Sequence, residues 1–112
     1  MKHISQEQLQ QLVERDAVTL IEALPEMHYE AEHLPGAVNL PGPLSPELAA
    51  SLTPDLARTV VVYCSGPSCG RSAVTAGAFE RLGYADVRVY KGGKSEWAAA
   101  GLPFQGARAA VA

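Results

Sequence analysis

The sequence has little cysteine. Two are found among 112 residues, and both fall in one stretch, Cys64-Ser65-Gly66-Pro67-Ser68-Cys69-Gly70-Arg71-Ser72. A disulfide framework is thereby excluded, and one structural bridge across so short a loop would add little to a domain of this size. Two reactive thiols are the expectation. Histidine is scarce as well, so a zinc centre would have to recruit His3, His28 or His33 to reach four ligands; neither a metal nor another cofactor is expected.

Clustered basic charge is also missing. Nine Lys and Arg against twelve Asp and Glu give a net charge of -3, which offers no field for a phosphate backbone, and nucleic acid is not an expected partner. No run approaches the roughly 20 apolar residues of a membrane span, and Met1-Lys2-His3-Ile4-Ser5-Gln6 lacks an apolar signal region. A cytoplasmic protein with no membrane contact is expected. Nucleotide-binding loops fail on spacing: Gly66 to Ser72 is one residue short of a P-loop with Arg71 where lysine is required, and Gly93-Lys94-Ser95 has no upstream glycine at the needed position.

What remains is ordinary for a globular protein. At 47% hydrophobic and 19% charged residues the chain can bury one core, so a single domain over residues 1–112 is expected, with 106–112 fraying at the end. Ser5 with Gln8 forms a capping box, and Ile4 with Leu9 a hydrophobic staple, which predicts a helix over residues 6–14. Val18 to Glu22 is a short β-branched run that reads as a buried strand. Residues 25–43 are turn-rich apart from Ala37-Val38-Asn39-Leu40, which suffices for a short strand. Ser45-Pro46 and Thr53-Pro54 each pair an N-cap with a proline and predict two short helices before the strand Thr59 to Tyr63. Beyond the cysteine loop, Val74, Ala78 and Leu82 recur at helical spacing beside Phe79, and Gly83 ends the helix. Val87 to Tyr90 is the last strand, and Ser95 to Ala100 the last helix. Such alternation predicts an α/β fold with a mainly parallel sheet and helices on both faces.

In open sheets of this kind, sites form at the carboxyl ends of strands, where the Cys64 loop sits. Glycine is selected where a chain turns sharply or approaches a ligand closely, so this loop is built for access. A strand, a tight turn and a helix start leave backbone N–H groups without intrahelical partners. Their partial positive charge, helped by Arg71, favours an anion and lowers the pKa of Cys64, the candidate nucleophile. Cys69 has three readings: a spacer, a partner thiol, or a metal ligand. His33 as a base for Cys64 is weaker than His33 as a turn or core residue, and Tyr90 and Trp97 read as core.

Three motifs in order, Glu32-His33-Leu34-Pro35-Gly36-Ala37, Val61-Val62-Tyr63-Cys64 and Tyr90-Lys91-Gly92-Gly93 with Glu96-Trp97, resemble the rhodanese (sulfurtransferase) family from Lys2 through Pro103. The resemblance implies a rhodanese-like three-layer sandwich with about five strands, Lys2 to Ile4 being the first. It implies catalytic Cys64, carrying sulfane sulfur as a persulfide, in a substrate-binding cradle of Ser65, Gly66, Pro67, Ser68, Cys69, Gly70 and Arg71. A small sulfur donor such as thiosulfate and a thiol or cyanide acceptor would be its partners, with a docking protein as a further one. The chain departs from the family where Glu22-Ala23-Leu24 replaces the usual Asp-Val-Arg, and where six residues separate Cys64 from Arg71. The second cysteine resembles a subset with paired cysteines, in which Cys69 would act as a resolving thiol. Two other functions compete: a non-catalytic sulfur or redox carrier that docks a partner, and a cysteine phosphatase or arsenate reductase-like enzyme, which would need an acid that the loop does not offer.

Overall fold

The computed structural model describes residues 2–108. They form β1 (Lys2–His3), α1 (Gln6–Glu14), β2 (Thr19–Glu22), α2 (Glu26–Ala31), β3 (Val38–Asn39), α3 (Pro46–Leu52), β4 (Val60–Tyr63), α4 (Arg71–Arg81), β5 (Val87–Tyr90) and α5 (Gly93–Ala99). The five strands make one sheet in the order β1-β5-β4-β2-β3, with every neighbouring pair parallel. The α/β class and its parallel sheet are as the alternation predicts.

Because side chains alternate across a strand, the sheet builds two cores. Ile21, Val60, Val62 and Val89 pack with Ala76 and Phe79 of α4 on one face. Leu20, Val61, Tyr63 and Tyr90 pack with Leu9 of α1 and Trp97 of α5 on the other. The central strand β4 is buried along its whole length, which accounts for its unbroken apolar sequence.

Local chemistry sets the element ends. Ser5 Oγ accepts from Gln8 N at 3.2 Å and Gln8 Oε1 accepts from Ser5 N at 3.3 Å, so the capping box forms as read. Ser45 Oγ likewise caps α3, accepting from Leu48 N at 3.1 Å. The second expected short helix, after Thr53, does not form. Thr53 instead closes α3, and its hydroxyl bonds the Thr19 hydroxyl at 3.0 Å while its carbonyl accepts from Tyr84 Oη at 2.6 Å. The Thr53 side chain is thus engaged with β2 and caps no following turn.

Two further expectations are corrected. Residues 26–31, expected as turns, form α2, whose N-cap Pro25 offers no side-chain acceptor and which buries no residue fully. In α4 the buried face is Ser72, Ala76 and Phe79 rather than the Val74 stripe; Val74 is 72% exposed. Positions 72, 76 and 79 follow the i, i+4, i+7 rule, and residue 74 lies half a turn away from them. Of the stretch 106–112 expected to fray, Ala107 N and Arg108 N donate to the carbonyls of Glu30 and Ala31 at 3.0 and 2.9 Å. Residues 109–112 lie outside the described residues.

The corrected face of α4 yields a direct test. Phe79→Ala should cost about 3–5 kcal/mol through the cavity it leaves, whereas Val74→Ala should stay within about 0.5 kcal/mol as a surface change. Urea unfolding of the two variants checks this, and similar losses would contradict the assigned face.

Candidate functional site

The chain leaves β4 at Tyr63, so Cys64 stands at the carboxyl end of the central strand, between the ends of β2 and β5. Cys64 is only 1% exposed. It is joined to Cys69 by a disulfide, with the two Cα atoms 6.4 Å apart. The pairing is the one open to Cys69 as a partner thiol: the turn from Gly66 to Cys69, closed by Cys69 N donating to Gly66 O at 3.1 Å, brings the sulfurs together. The span is within the roughly 7 Å that a disulfide tolerates.

The loop then enters α4. Its cap residue Gly70 has no side chain to satisfy the first turn, and the opening N–H groups of Arg71, Ser72 and Ala73 have no intrahelical acceptor. The N–H groups of Ser65, Gly66 and Ser68 likewise make no hydrogen bond among the described residues. Ser72 is buried, with Oγ 3.5 Å from Cys64 Sγ. Arg71 is exposed on the first turn.

From the other side, α5 holds the loop in place. Lys94 N donates to Cys64 O at 3.1 Å and Ser95 N to Ser65 O at 2.9 Å. Gly93 permits this approach: its φ is +61°, and a Cβ there would lie 2.5 Å from Cys64 O and 2.8 Å from Gly66 N. The Tyr-Lys-Gly-Gly motif is thus the part of the chain on which the cysteine loop rests.

Beneath the loop lies a buried ionic cluster. Glu22, the last residue of β2, is fully buried. Its Oε1 accepts from Tyr63 Oη at 2.7 Å and pairs with Lys94 Nζ at 3.0 Å. Lys94 Nζ also donates to His28 O at 2.9 Å, and Tyr63 Oη accepts from Leu34 N at 3.0 Å. Burial, then the neighbouring Glu22 carboxylate, push the Tyr63 phenol far above its ordinary pKa, so it remains a donor. Glu22 of β2 is thus met by a cation from α5, and the two residues that follow it, Ala23 and Leu24, carry no charge.

The sequence-predicted residues 64–71 are contiguous and form this loop, with Cys64 and Cys69 bonded. His33 is not part of it. Its ring stacks on Tyr29 with centroids 3.9 Å apart, and its Nδ1 lies 2.8 Å from Tyr29 O, in keeping with a structural role at the end of α2. Tyr90 and Trp97 are core, as read. Sequence reasoning passed over Ser72, Glu22 and Lys94. A glutamate in the apolar run Thr19-Leu20-Ile21-Glu22 was the available signal.

A five-stranded parallel sheet with helices on both faces, carrying a cysteine-containing glycine turn at the end of its central strand, defines the class of α/β domain. Residues 5–100 match the Rhodanese-like domain family, to which the chain belongs. An HTH-type transcriptional regulator of Mycobacterium tuberculosis is 38% identical over 90 residues, covering 80% of this chain; the chain spans 38% of that relative's length. Among solved structures, the BH2092 protein of Bacillus halodurans superposes with a TM-score of 0.87 at 21% identity, over 99% of this chain and 81% of that one. A rhodanese with anions from E. coli superposes with a TM-score of 0.67 at 28% identity, over 81% of this chain and all of that one (100%).

Lys94→Met should expose the weight of the cluster. Removing the cation leaves a buried carboxylate unpaired, a loss of about 3–5 kcal/mol, and replacing Glu22 as well, as Glu22→Leu/Lys94→Met, should recover part of it. Chemical denaturation of both variants checks this. A single variant as stable as the parent would contradict the pairing.

Proposed function

We propose that the protein is a sulfurtransferase that works through a persulfide on Cys64, in the cytoplasm. Support comes from one observation above all: the cysteine stands at the end of the central strand, in a loop that carries unpartnered N–H groups of its own and leads into the first turn of α4. Such groups stabilise an anionic sulfur. A thiol first reduces the Cys64–Cys69 disulfide. The Cys64 thiolate then attacks the outer sulfur of thiosulfate, the S–S bond of the donor breaks, and sulfite leaves with the electron pair. A thiol or cyanide acceptor removes the sulfur and regenerates the thiolate, a ping-pong cycle. Ser65, Gly66, Pro67, Ser68, Cys69 and Gly70 supply the cradle, and Arg71 favours anionic donors.

Cys69 is proposed as a resolving thiol. Its thiolate attacks the inner sulfur of the Cys64 persulfide, expels hydrosulfide and forms the Cys64–Cys69 disulfide. Reducing compartments tolerate disulfides of this transient, catalytic kind. The same disulfide favours a second reading, a sulfur or redox relay that docks a partner protein. A relative that is a transcriptional regulator, and of which the chain spans only part, also favours it. Phosphoryl or arsenate chemistry gains nothing comparable, because no acidic residue lies in the loop from Cys64 to Ser72.

Two variants test the reading. Cys64→Ser should fold yet lose thiosulfate-dependent thiocyanate formation by at least about a hundredfold, because a serine hydroxyl is a far weaker nucleophile than a thiolate. Retained turnover in the folded variant would overturn the assignment. Cys69→Ser should still load sulfur and keep it several times longer in the absence of thiol, followed by intact mass. Equal persulfide lifetimes would reduce Cys69 to a spacer.

A further inference from the structure

A groove of about 700 Å³ runs along α4. One wall is the helix face made by Arg71, Val74, Ala78 and Arg81, turned away from the face of Ser72, Ala76 and Phe79 that the core covers. These four positions follow i, i+3, i+7 and i+10, the spacing of a seam that packs against a second helix. Val74, in the middle of the seam, is left 72% exposed by the described residues. Arg71 and Arg81 end it, ten residues and therefore about 15 Å apart along the axis. Neither guanidinium has an ion-pair partner among the described residues.

The other wall is the segment after β3, from Leu40 to Leu44. It contains Pro41 and Pro43, which have no N–H to donate, so an extended strand cannot pair along it and recognition falls to side chains. A helix satisfies its own backbone and needs no such donors. An apolar trough about three turns long, with a free cation at each end, is complementary to a helix that is apolar in the middle of one face and acidic at both ends of it. We propose that the groove docks an acidic, amphipathic helix of a partner protein. The apolar residues of that helix lie over Val74 and over Ala78, whose short side chain leaves room for a large one, and its carboxylates, ten or eleven residues apart, meet Arg71 and Arg81. A second copy of this chain fits less well, because joining two such seams in either direction sets arginine against arginine. A flat membrane surface does not fill a trough. The docking involves neither cysteine and stands apart from the sulfur chemistry proposed for Cys64.

Peptides about four turns long, selected from a random library for binding to the whole chain, supply the probe. Those selected should be helical when bound, with one apolar stripe and Asp or Glu ten or eleven residues apart, and their affinity, followed by fluorescence anisotropy, should fall as salt rises. Val74→Asp should weaken binding at least about tenfold, since a charge then faces the apolar stripe. Arg81→Glu should weaken it about fivefold, and lysine in place of the facing peptide carboxylate should restore affinity for that variant. Sedimentation of the free chain and its binding to phosphatidylglycerol vesicles are measured alongside. A selection that yields no peptide of this pattern, or peptides that bind Val74→Asp as well as the parent, would overturn the proposal. So would a dimer, or vesicle binding, that Val74→Asp abolishes.

Discussion

The ion pair between Glu22 and Lys94 is the constraint on which the rest of the site depends. A carboxylate with no solvent exposure at the end of β2 is costly unless it is paired and hydrogen-bonded. Lys94 supplies the charge and Tyr63 the hydrogen bond. Both partners also hold the cysteine. Tyr63 is the residue before Cys64, and the Lys94 backbone N–H donates to the Cys64 carbonyl. The result is a closed circuit, Cys64 to Tyr63 to Glu22 to Lys94 and back to Cys64, which ties β2, β4 and the start of α5 to one point. Gly93 lets α5 come close enough to complete it.

Above that point, the loop carries two opposed features. Its unpartnered N–H groups and the start of α4 suit an anion, yet its sulfur is buried and tied to Cys69. Positioning is thus provided by rigid elements, while availability of the proposed nucleophile is left to a covalent bond that thiols can break. In the proposed cycle this makes the oxidised form a resting state. The contacts that hold the scaffold beneath it, from Glu22, Tyr63 and Lys94, involve neither sulfur.

Much of the fold was legible because local and global signals agree. The Ser5–Gln8 capping box, the Ser45-Pro46 start, the apolar run before Tyr63 and the Gly83 stop each point to the element that forms. The failures have physical causes. Thr53-Pro54 has the form of an N-cap, but the Thr53 hydroxyl is taken by Thr19, a residue 34 positions away. Helix α2 has neither a capping side chain nor a buried stripe, so nothing in residues 25–31 announces it. Val74 fits a helical period as well as Phe79 does, and only the sheet decides which face is covered. At the site, the contiguous loop residues were readable from glycine and cysteine spacing. Glu22 and Lys94 were not, because they meet across 72 residues of chain, although a glutamate ending a buried strand signalled an unmet need for a partner.

The account turns on sulfur residing on Cys64. Intact mass and peptide mapping of the reduced protein, after incubation with thiosulfate and again after excess thiol, measure this directly. The account predicts a gain of one sulfur atom, mapped to the peptide containing Cys64 and lost on thiol treatment. A reduced, folded protein that gains no sulfur, or gains it only at Cys69, would contradict it.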